Sequence, residues 1–261
     1  MKLFENISYG DDEAQILDFY LPDNEKNYNV VLISLHGGSW SMGDKREYSR
    51  ETEEFVKRLN VPTVNMNYRM TPALLPEMME DVELAMSFII EYAKQFGCCF
   101  EKCILRGFSA GAHIAMSYAY EKQELSPLPI AFVIGEAAPA DLSTPLGGPA
   151  QAFICRGLSN IVGQKITRAN WSEHVDEMKE LSPIYHLTPE APPTLLLHGT
   201  LDYMVGYTIA QSMRTALEEN HVPCDLVTFE GLEHQLKGCS DEMVEEYFGK
   251  VNSFFSEFSK I

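Results

Sequence analysis

Positive charge is scarce in this sequence: 20 Lys and Arg stand against 38 Asp and Glu, a formal charge of −18. Such a surface repels phosphate backbones and anionic lipid, which argues against nucleic acid and membrane surfaces as partners. The plain meaning of the acidity is solubility, and a taste for cationic substrates is the sharper one. No run of about 18 apolar residues occurs, so no membrane span is expected. Met1 to Asp12 carries one Lys and then Asn6, Gly10, Asp11 and Asp12. It lacks the apolar core of at least ~7 residues that a secretory signal requires. The six cysteines (Cys98, Cys99, Cys103, Cys155, Cys224 and Cys239) show neither a C-x-x-C pair nor disulfide-scaffold density, and read as reduced, mostly buried thiols. A cytoplasmic protein is the expectation.

Metal and cofactor signatures are missing too. There is no H-E-x-x-H and no paired-cysteine frame, so no metal is implied. The glycine run after the first parallel strand reads H-G-G-S rather than G-x-G-x-x-G, so no dinucleotide is implied either. No linker, repeat or low-complexity stretch divides the 261 residues, and a single domain is expected over 1–261.

Short apolar runs alternate with longer helical patterns, the signature of an α/β fold with a mostly parallel central sheet and helices on both faces. The runs Gln15–Leu21, Val30–Leu35, Thr63–Tyr68, Cys103–Gly107, Ile130–Gly135, Thr194–His198 and Cys224–Phe229 are the expected strands. Helices are expected at Lys45–Leu59, Glu77–Phe96, Ala110–Lys122, Gly206–Asn220 and Asp241–Lys260. In the second of these, Met78, Val82, Ala85, Met86, Ile89, Ala93 and Phe96 recur at helical spacing, a core stripe rather than a cofactor box. From Ala138 to Pro183 the alternation breaks. Pro139, Pro145, Gly147, Gly148 and Pro149 precede short helical patterns around Ala150–Leu158 and Asn170–Glu180. A short cap-like insertion at about 138–183, over the carboxyl ends of the strands, is expected there. Ligand crevices of such sheets lie at the same ends.

The strongest chemical signal is Gly107-Phe108-Ser109-Ala110-Gly111, with an apolar run before it and a helical pattern after it. This is the layout of a nucleophile elbow: the serine sits in a strained turn, and flanking glycines let neighbouring backbone approach. The bare pattern is common by chance; its place between strand and helix gives it weight. Upstream, His36-Gly37-Gly38-Ser39-Trp40 directly follows a strand. Such a turn can aim backbone N–H groups, together with that of Ala110, at an oxygen acquiring negative charge. The bland alternative, an ordinary strand-ending turn, loses force beside an elbow. Trp40 reads equally as a wall of the substrate pocket or as core.

A serine hydroxyl needs a base, and the base needs an orienting carboxylate. Of seven histidines, His113 lies one helical turn past Ser109, His198 belongs to a strand, and His174 and His186 fall in the insertion. His221 sits in a connector and His36 in the glycine turn. His234, in Gly231-Leu232-Glu233-His234 just past the last strand, should project from the carboxyl edge of the sheet. Asp202 follows the preceding strand in His198-Gly199-Thr200-Leu201-Asp202. Asp225, starting a strand, and Asp241, read as the cap of the last helix, fit less well. The order Ser109, Asp202, His234 is the nucleophile, acid, base order of one fold.

With these pieces in place, the chain resembles the α/β-hydrolase superfamily. More narrowly it is similar to the hormone-sensitive-lipase-like esterases and the bacterial acetyl-xylan and feruloyl esterase-like group. The resemblance spans about Gln15 to Phe255 and rests on HGGSW at 36–40, GFSAG at 107–111, HGTLDYMV at 198–205 and His234. It implies an oxyanion hole built from the N–H groups of Gly38 and Ala110, joined by Gly37 or Ser39. Ser39 stands where many relatives carry a third glycine, which leaves the second donor open. Ser182-Pro183-Ile184-Tyr185-His186 looks like a recurrent segment of architecture. The expected activity is hydrolysis of small soluble carboxylic esters, short in acyl chain and including acetylated sugars, through an acyl-enzyme and without a cofactor. An arylformamidase-type amide hydrolase and a non-catalytic binding protein are the alternatives. A small-molecule ester is the expected partner, and assembly of copies stays open.

Overall fold

The computed structural model describes residues 1–23, 28–144 and 151–259, with helix backbone only at 151–154. Among these, eight strands form one sheet: β1 (Lys2–Ser8), β2 (Ile16–Leu21), β3 (Val30–Leu35), β4 (Thr63–Met66), β5 (Lys102–Phe108), β6 (Ile130–Glu136), β7 (Thr194–Gly199) and β8 (Cys224–Phe229). Their spatial order is β1-β2-β4-β3-β5-β6-β7-β8. β2 runs antiparallel to both β1 and β4, and the other pairings are parallel.

Central strands are buried on both faces, and their alternation sorts the core into two layers. Val31, Ile33, Leu35, Leu105 and Val133 face one side, with the buried stripes of α2 (Leu75–Tyr92), α3 (Ala110–Glu121) and α6 (Tyr207–Glu219). Val30, Leu32, Ile104, Phe132, Leu195 and Leu197 face the other, against Phe55 and Leu59 of α1 (Ser49–Leu59) and Tyr247, Phe248, Val251 and Phe254 of α7 (Asp241–Phe258). A period of two along strands buried on both faces leaves no polar side to read, which is why these segments are continuous apolar runs.

The expected elements are present with shifted ends. The helix expected from Glu77 begins at Leu75 and tightens into a 3₁₀ turn at Ala93–Phe96; that expected from Lys45 opens with a 3₁₀ turn at Lys45–Tyr48. The last helix is capped by Ser240, whose hydroxyl accepts from the Met243 N–H, and not by Asp241, which lies in the first turn. Strand β8 starts at Cys224, one residue before Asp225.

Strand β1 was not expected. Only Phe4 and Ile7 are even half-buried in it, and a bulge between them throws Asn6 to φ 55°. The period of two is therefore lost. The bulge is anchored by polar groups: the Asn6 N–H donates to Asp18 Oδ1 (2.8 Å), and Lys45 Nζ donates to Asn6 Oδ1 (2.9 Å) and Asp18 Oδ1 (2.7 Å).

Between β6 and β7 lie α4 (Gln151–Val162) and α5 (Val175–Glu180), with 3₁₀ turns at Trp171–Glu173 and Pro183–His186. Pro145, Gly147, Gly148, Pro149 and Ala150 of the expected insertion lie outside the described residues, as does Lys260. What is described packs back onto the domain. The Leu142 N–H donates to Ser182 Oγ (2.8 Å), the Ile184 N–H to the Ala140 carbonyl (3.2 Å), and the missing side chain of Gly157 makes room for Ser39 and Trp40. Among the described residues no helix is long and apolar enough to cross a membrane. All six cysteines are free: Cys98, Cys103 and Cys155 are buried, and Cys99 is exposed. Burial pushes the Cys98 thiol up to about 11 and that of Cys103 further.

Candidate active site

Three loops at the carboxyl ends of β5, β7 and β8 converge. At the first, β5 passes into α3 through Ser109, held at φ 52° and ψ −119°. A non-glycine residue there is strained by roughly 1–3 kcal/mol, so the surroundings must over-determine it. They do so through backbone. The Ser109 N–H donates to the Glu136 carbonyl (2.8 Å), and the His113 N–H donates to the Ser109 carbonyl (3.0 Å). A Cβ on Gly107 would strike the Gly111 backbone, and one on Gly111 would strike the carbonyls of Leu35 and His36. Both glycines are required by close approach, which is the physical content of the G-x-S-x-G spacing.

Below the elbow, Arg106 and Glu136 form a buried two-pronged ion pair (Nε–Oε1 2.9 Å, Nη2–Oε2 2.6 Å). Arg106 Nη1 also donates to Ser34 Oγ (2.9 Å), and the Tyr247 hydroxyl donates to Glu136. Such a pair survives burial only when its remaining groups are satisfied, as here. It ties α7 to the strand whose end carries Ser109.

The loops that carry Asp202 and His234 are stitched together before they meet Ser109. The Leu201 N–H donates to the Leu232 carbonyl (2.9 Å), that of Thr200 to the Phe229 carbonyl (3.1 Å), and that of Gly231 to Thr200 Oγ1 (2.9 Å). The Ser109 hydroxyl then donates to His234 Nε2 (3.0 Å), and His234 Nδ1–H donates to Asp202 Oδ2 (2.7 Å). Ser109, Asp202 and His234 are 9%, 7% and 4% exposed, so this hydrogen-bonded chain lies in a largely dry setting where each bond counts for more. The Phe108 ring lies 5.2 Å from the His234 ring and shields it.

Asp202 is gripped from four directions. Oδ1 accepts from the N–H groups of Met204 (2.9 Å) and Val205 (2.8 Å). Oδ2 faces His234 and, at 3.2 Å, Nε2 of His198, whose N–H also reaches the Val205 carbonyl (2.8 Å). Burial alone would raise its pKa; His198, His234 and the Val205 N–H outweigh that and hold the carboxyl well below the ordinary range. His198, read from sequence only as a strand residue, is thus part of the acid's surroundings. Its four-residue spacing from Asp202 within His198-Gly199-Thr200-Leu201-Asp202 was the available signal.

The glycine turn brings Gly38 (φ 124°), Ser39 (φ 49°) and Trp40 (φ 58°) into successive positive-φ conformations. The Gly37 backbone also lies against the Tyr48 hydroxyl. No described residue accepts from the N–H groups of Gly38 or Ser39. Ala110, the first residue of α3, contributes one of the N–H groups that a helix start leaves unpaired. Trp40 is 3% exposed and packs in the core, and its indole N–H donates to His113 Nδ1 (3.3 Å). Of the remaining histidines, His36 is buried and stacks on Tyr68 at 4.5 Å, and His221 is exposed. Glu233, beside the base, is exposed. Among the described residues no group of three or more His, Cys, Asp or Glu could hold a metal ion.

Comparison with known proteins fits this geometry. The chain is 26% identical over 270 residues to the probable isoprenylcysteine alpha-carbonyl methylesterase ICMEL1 of Arabidopsis thaliana, covering 92% of this chain and 54% of that protein. It is 26% identical over 217 residues to Esterase LipC of Mycobacterium tuberculosis, covering 79% of this chain and 53% of that one. The chain thus spans about half the length of these curated relatives. Among solved structures it superimposes on a truncated carbohydrate esterase from gut microbiota with a TM-score of 0.83 at 16% identity, covering 98% and 97% of the two chains. Esterase B from Lactobacillus rhamnosis gives a TM-score of 0.79 at 21% identity, covering 98% and 85%. These likenesses establish an α/β-hydrolase fold. The family model described as BD-FAE matches residues 17–217, most of the chain from β2 through α6, and this protein belongs to that family.

Proposed function

We propose that this protein is a carboxylic ester hydrolase that works through an acyl-enzyme on Ser109. The observation that carries the reading is the continuous chain from Ser109 Oγ through His234 to the ionised Asp202. Ser109 Oγ attacks the ester carbonyl as His234 Nε2 takes its proton, and Asp202 holds the imidazole in the required tautomer and stabilises its charged form. The carbonyl oxygen becomes an oxyanion, met by the N–H groups of Ala110, Gly38 and Ser39. Loss of one such donor costs roughly 3–4 kcal/mol of transition-state stabilisation. His234 then hands its proton to the leaving alcohol, and in the second half activates the water that releases the acid and restores Ser109.

The substrate we infer is a small soluble ester with a short acyl chain. Residues 138–183 are read here as a cap-like insertion within a single domain. The described part between Leu142 and Glu180 carries Glu173, Asp176, Glu177, Lys179 and Glu180, and a charge of −18 opposes docking to anionic lipid. The relatives' names point to different ester partners, an isoprenylcysteine methyl ester in one and a carbohydrate ester in another. We therefore carry over the ester bond, with acetylated sugars as the first candidates. Because a methylene is worth only about 1–3 kcal/mol in a pocket, the chain-length preference should be graded. The test is kcat/KM for aryl esters from acetate to palmitate, with acetylated sugars and an aryl formamide alongside. A maximum at acetate to butyrate is expected. A maximum at eight carbons or longer overturns the short-acyl reading, and faster turnover of the formamide overturns the ester reading.

A further inference from the structure

Ser39 and Trp40 both hold positive φ, and neither residue type rests there unaided. The backbone of the turn is pinned on two sides: the Gly38 carbonyl accepts from the N–H groups of Ser41 (3.1 Å) and Met42 (3.0 Å), and the Trp40 carbonyl accepts from that of Thr71 (3.1 Å). The third pin is made by side chains. The Trp40 indole N–H donates to His113 Nδ1 (3.3 Å), with the two rings edge to face at 5.2 Å, and His113 Nε2–H donates to the Leu181 carbonyl (2.7 Å). This pattern uses both ring nitrogens of a neutral imidazole, and burial favours that form, lowering His113 to about 4. An apolar pair of similar volume would fill the same space; the N–H···N bond adds direction.

His113 is also one helical turn from the nucleophile, and its own N–H donates to the Ser109 carbonyl (3.0 Å). A single residue of α3 thus touches the elbow through its backbone, the glycine turn through Nδ1 and the segment after α5 through Nε2. We propose that His113 is a positioning residue for the oxyanion turn, acting through the Trp40 indole to set the Gly38 and Ser39 N–H groups at a fixed distance from Ser109. The proposal rests on the oxyanion reading of that turn given above.

It is tested with His113→Leu, His113→Gln, Trp40→Phe and the double variant His113→Leu/Trp40→Phe, each checked for folding by near-UV circular dichroism. Displacement of donors by a fraction of an ångström to 1 Å is expected to lower kcat about 10- to 100-fold, with KM within about twofold of the parent. Glutamine, with one acceptor and one donor, should restore most of kcat. Trp40→Phe keeps an aromatic ring, smaller than the indole, and loses the donor, so its kcat should fall at least as far as that of His113→Leu. The double variant should be no worse than Trp40→Phe alone, because both remove one link. Wild-type kcat in folded His113→Leu and Trp40→Phe overturns the proposal, and so do losses that multiply in the double variant. Loss of thermal stability with kcat unchanged would mark His113 as packing alone and also overturns it. A Ser109→Ala control separates the two claims: if that variant still turns over ester, the reading of Ser109 as nucleophile and of its oxyanion turn fails, whatever His113 does.

Discussion

The elbow and the glycine turn each hold a serine at positive φ, Ser109 at 52° and Ser39 at 49°, yet they are held by different means. The elbow is fixed by backbone: the Glu136 carbonyl on one side, the His113 N–H on the other, and glycines that let β3 and α3 close up. The glycine turn has backbone bonds too, from Ser41, Met42 and Thr71, but adds a side-chain pin, Trp40 gripped by His113 across a separation of 73 residues. Both devices show as five adjacent residues, but the side-chain pin of the glycine turn has its partner, His113, on another element.

The difference can be broken at either end. The largest effect is expected from Gly111→Ala, whose new Cβ meets the Leu35 and His36 carbonyls. Backbone cannot yield as a side chain does, so this variant should lose folded protein altogether, as read by circular dichroism and soluble yield; a folded, active variant would contradict the close-approach argument. Next comes Asp202→Asn. The amide cannot hold His234 in the same tautomer, and kcat should fall about 10⁴-fold with the fold intact. If most activity remained, the acid would have to be reassigned. The smallest is Gly157→Ala on α4, where the new Cβ would sit 3.0 Å from the Ser39 Cβ and carbonyl oxygen. A shift of a few tenths of an ångström relieves it, and the helix gains from losing a glycine, so stability should change by no more than about 1 kcal/mol. Turnover should drop a few-fold, because the push falls on the oxyanion turn; unchanged kcat would show that the turn is stiffer than its side-chain anchoring implies.

The same contrast explains how much was legible beforehand. The six inner strands were readable because burial on both faces makes them largely apolar runs, and the edge strand β8 because Leu226, Val227 and Phe229 keep it apolar; the candidate order Ser109, Asp202, His234 was read from motifs at strand ends. Strand β1 was not, since its bulge at Asn6 breaks the period and its anchors, Asp18 and Lys45, are far along the chain. Trp40 stayed ambiguous from sequence because its partner lies on α3; in the fold it is buried against His113. His198 was read as part of a strand, which it is, but its contact with Asp202 depends on the loop folding back over four residues. Ser240 took the cap from Asp241 because only the residue just before the helix can turn its hydroxyl onto the Met243 N–H.

The central claim, that Ser109 is a nucleophile activated by His234, is tested most directly by intact-mass and peptide-mapping spectrometry after exposure to a fluorophosphonate probe. The account predicts one adduct per chain, on Ser109, with labelling lost in Ser109→Ala. In folded His234→Ala it should be slowed by several orders of magnitude. An adduct on another residue, or labelling at the wild-type rate without His234, would contradict it.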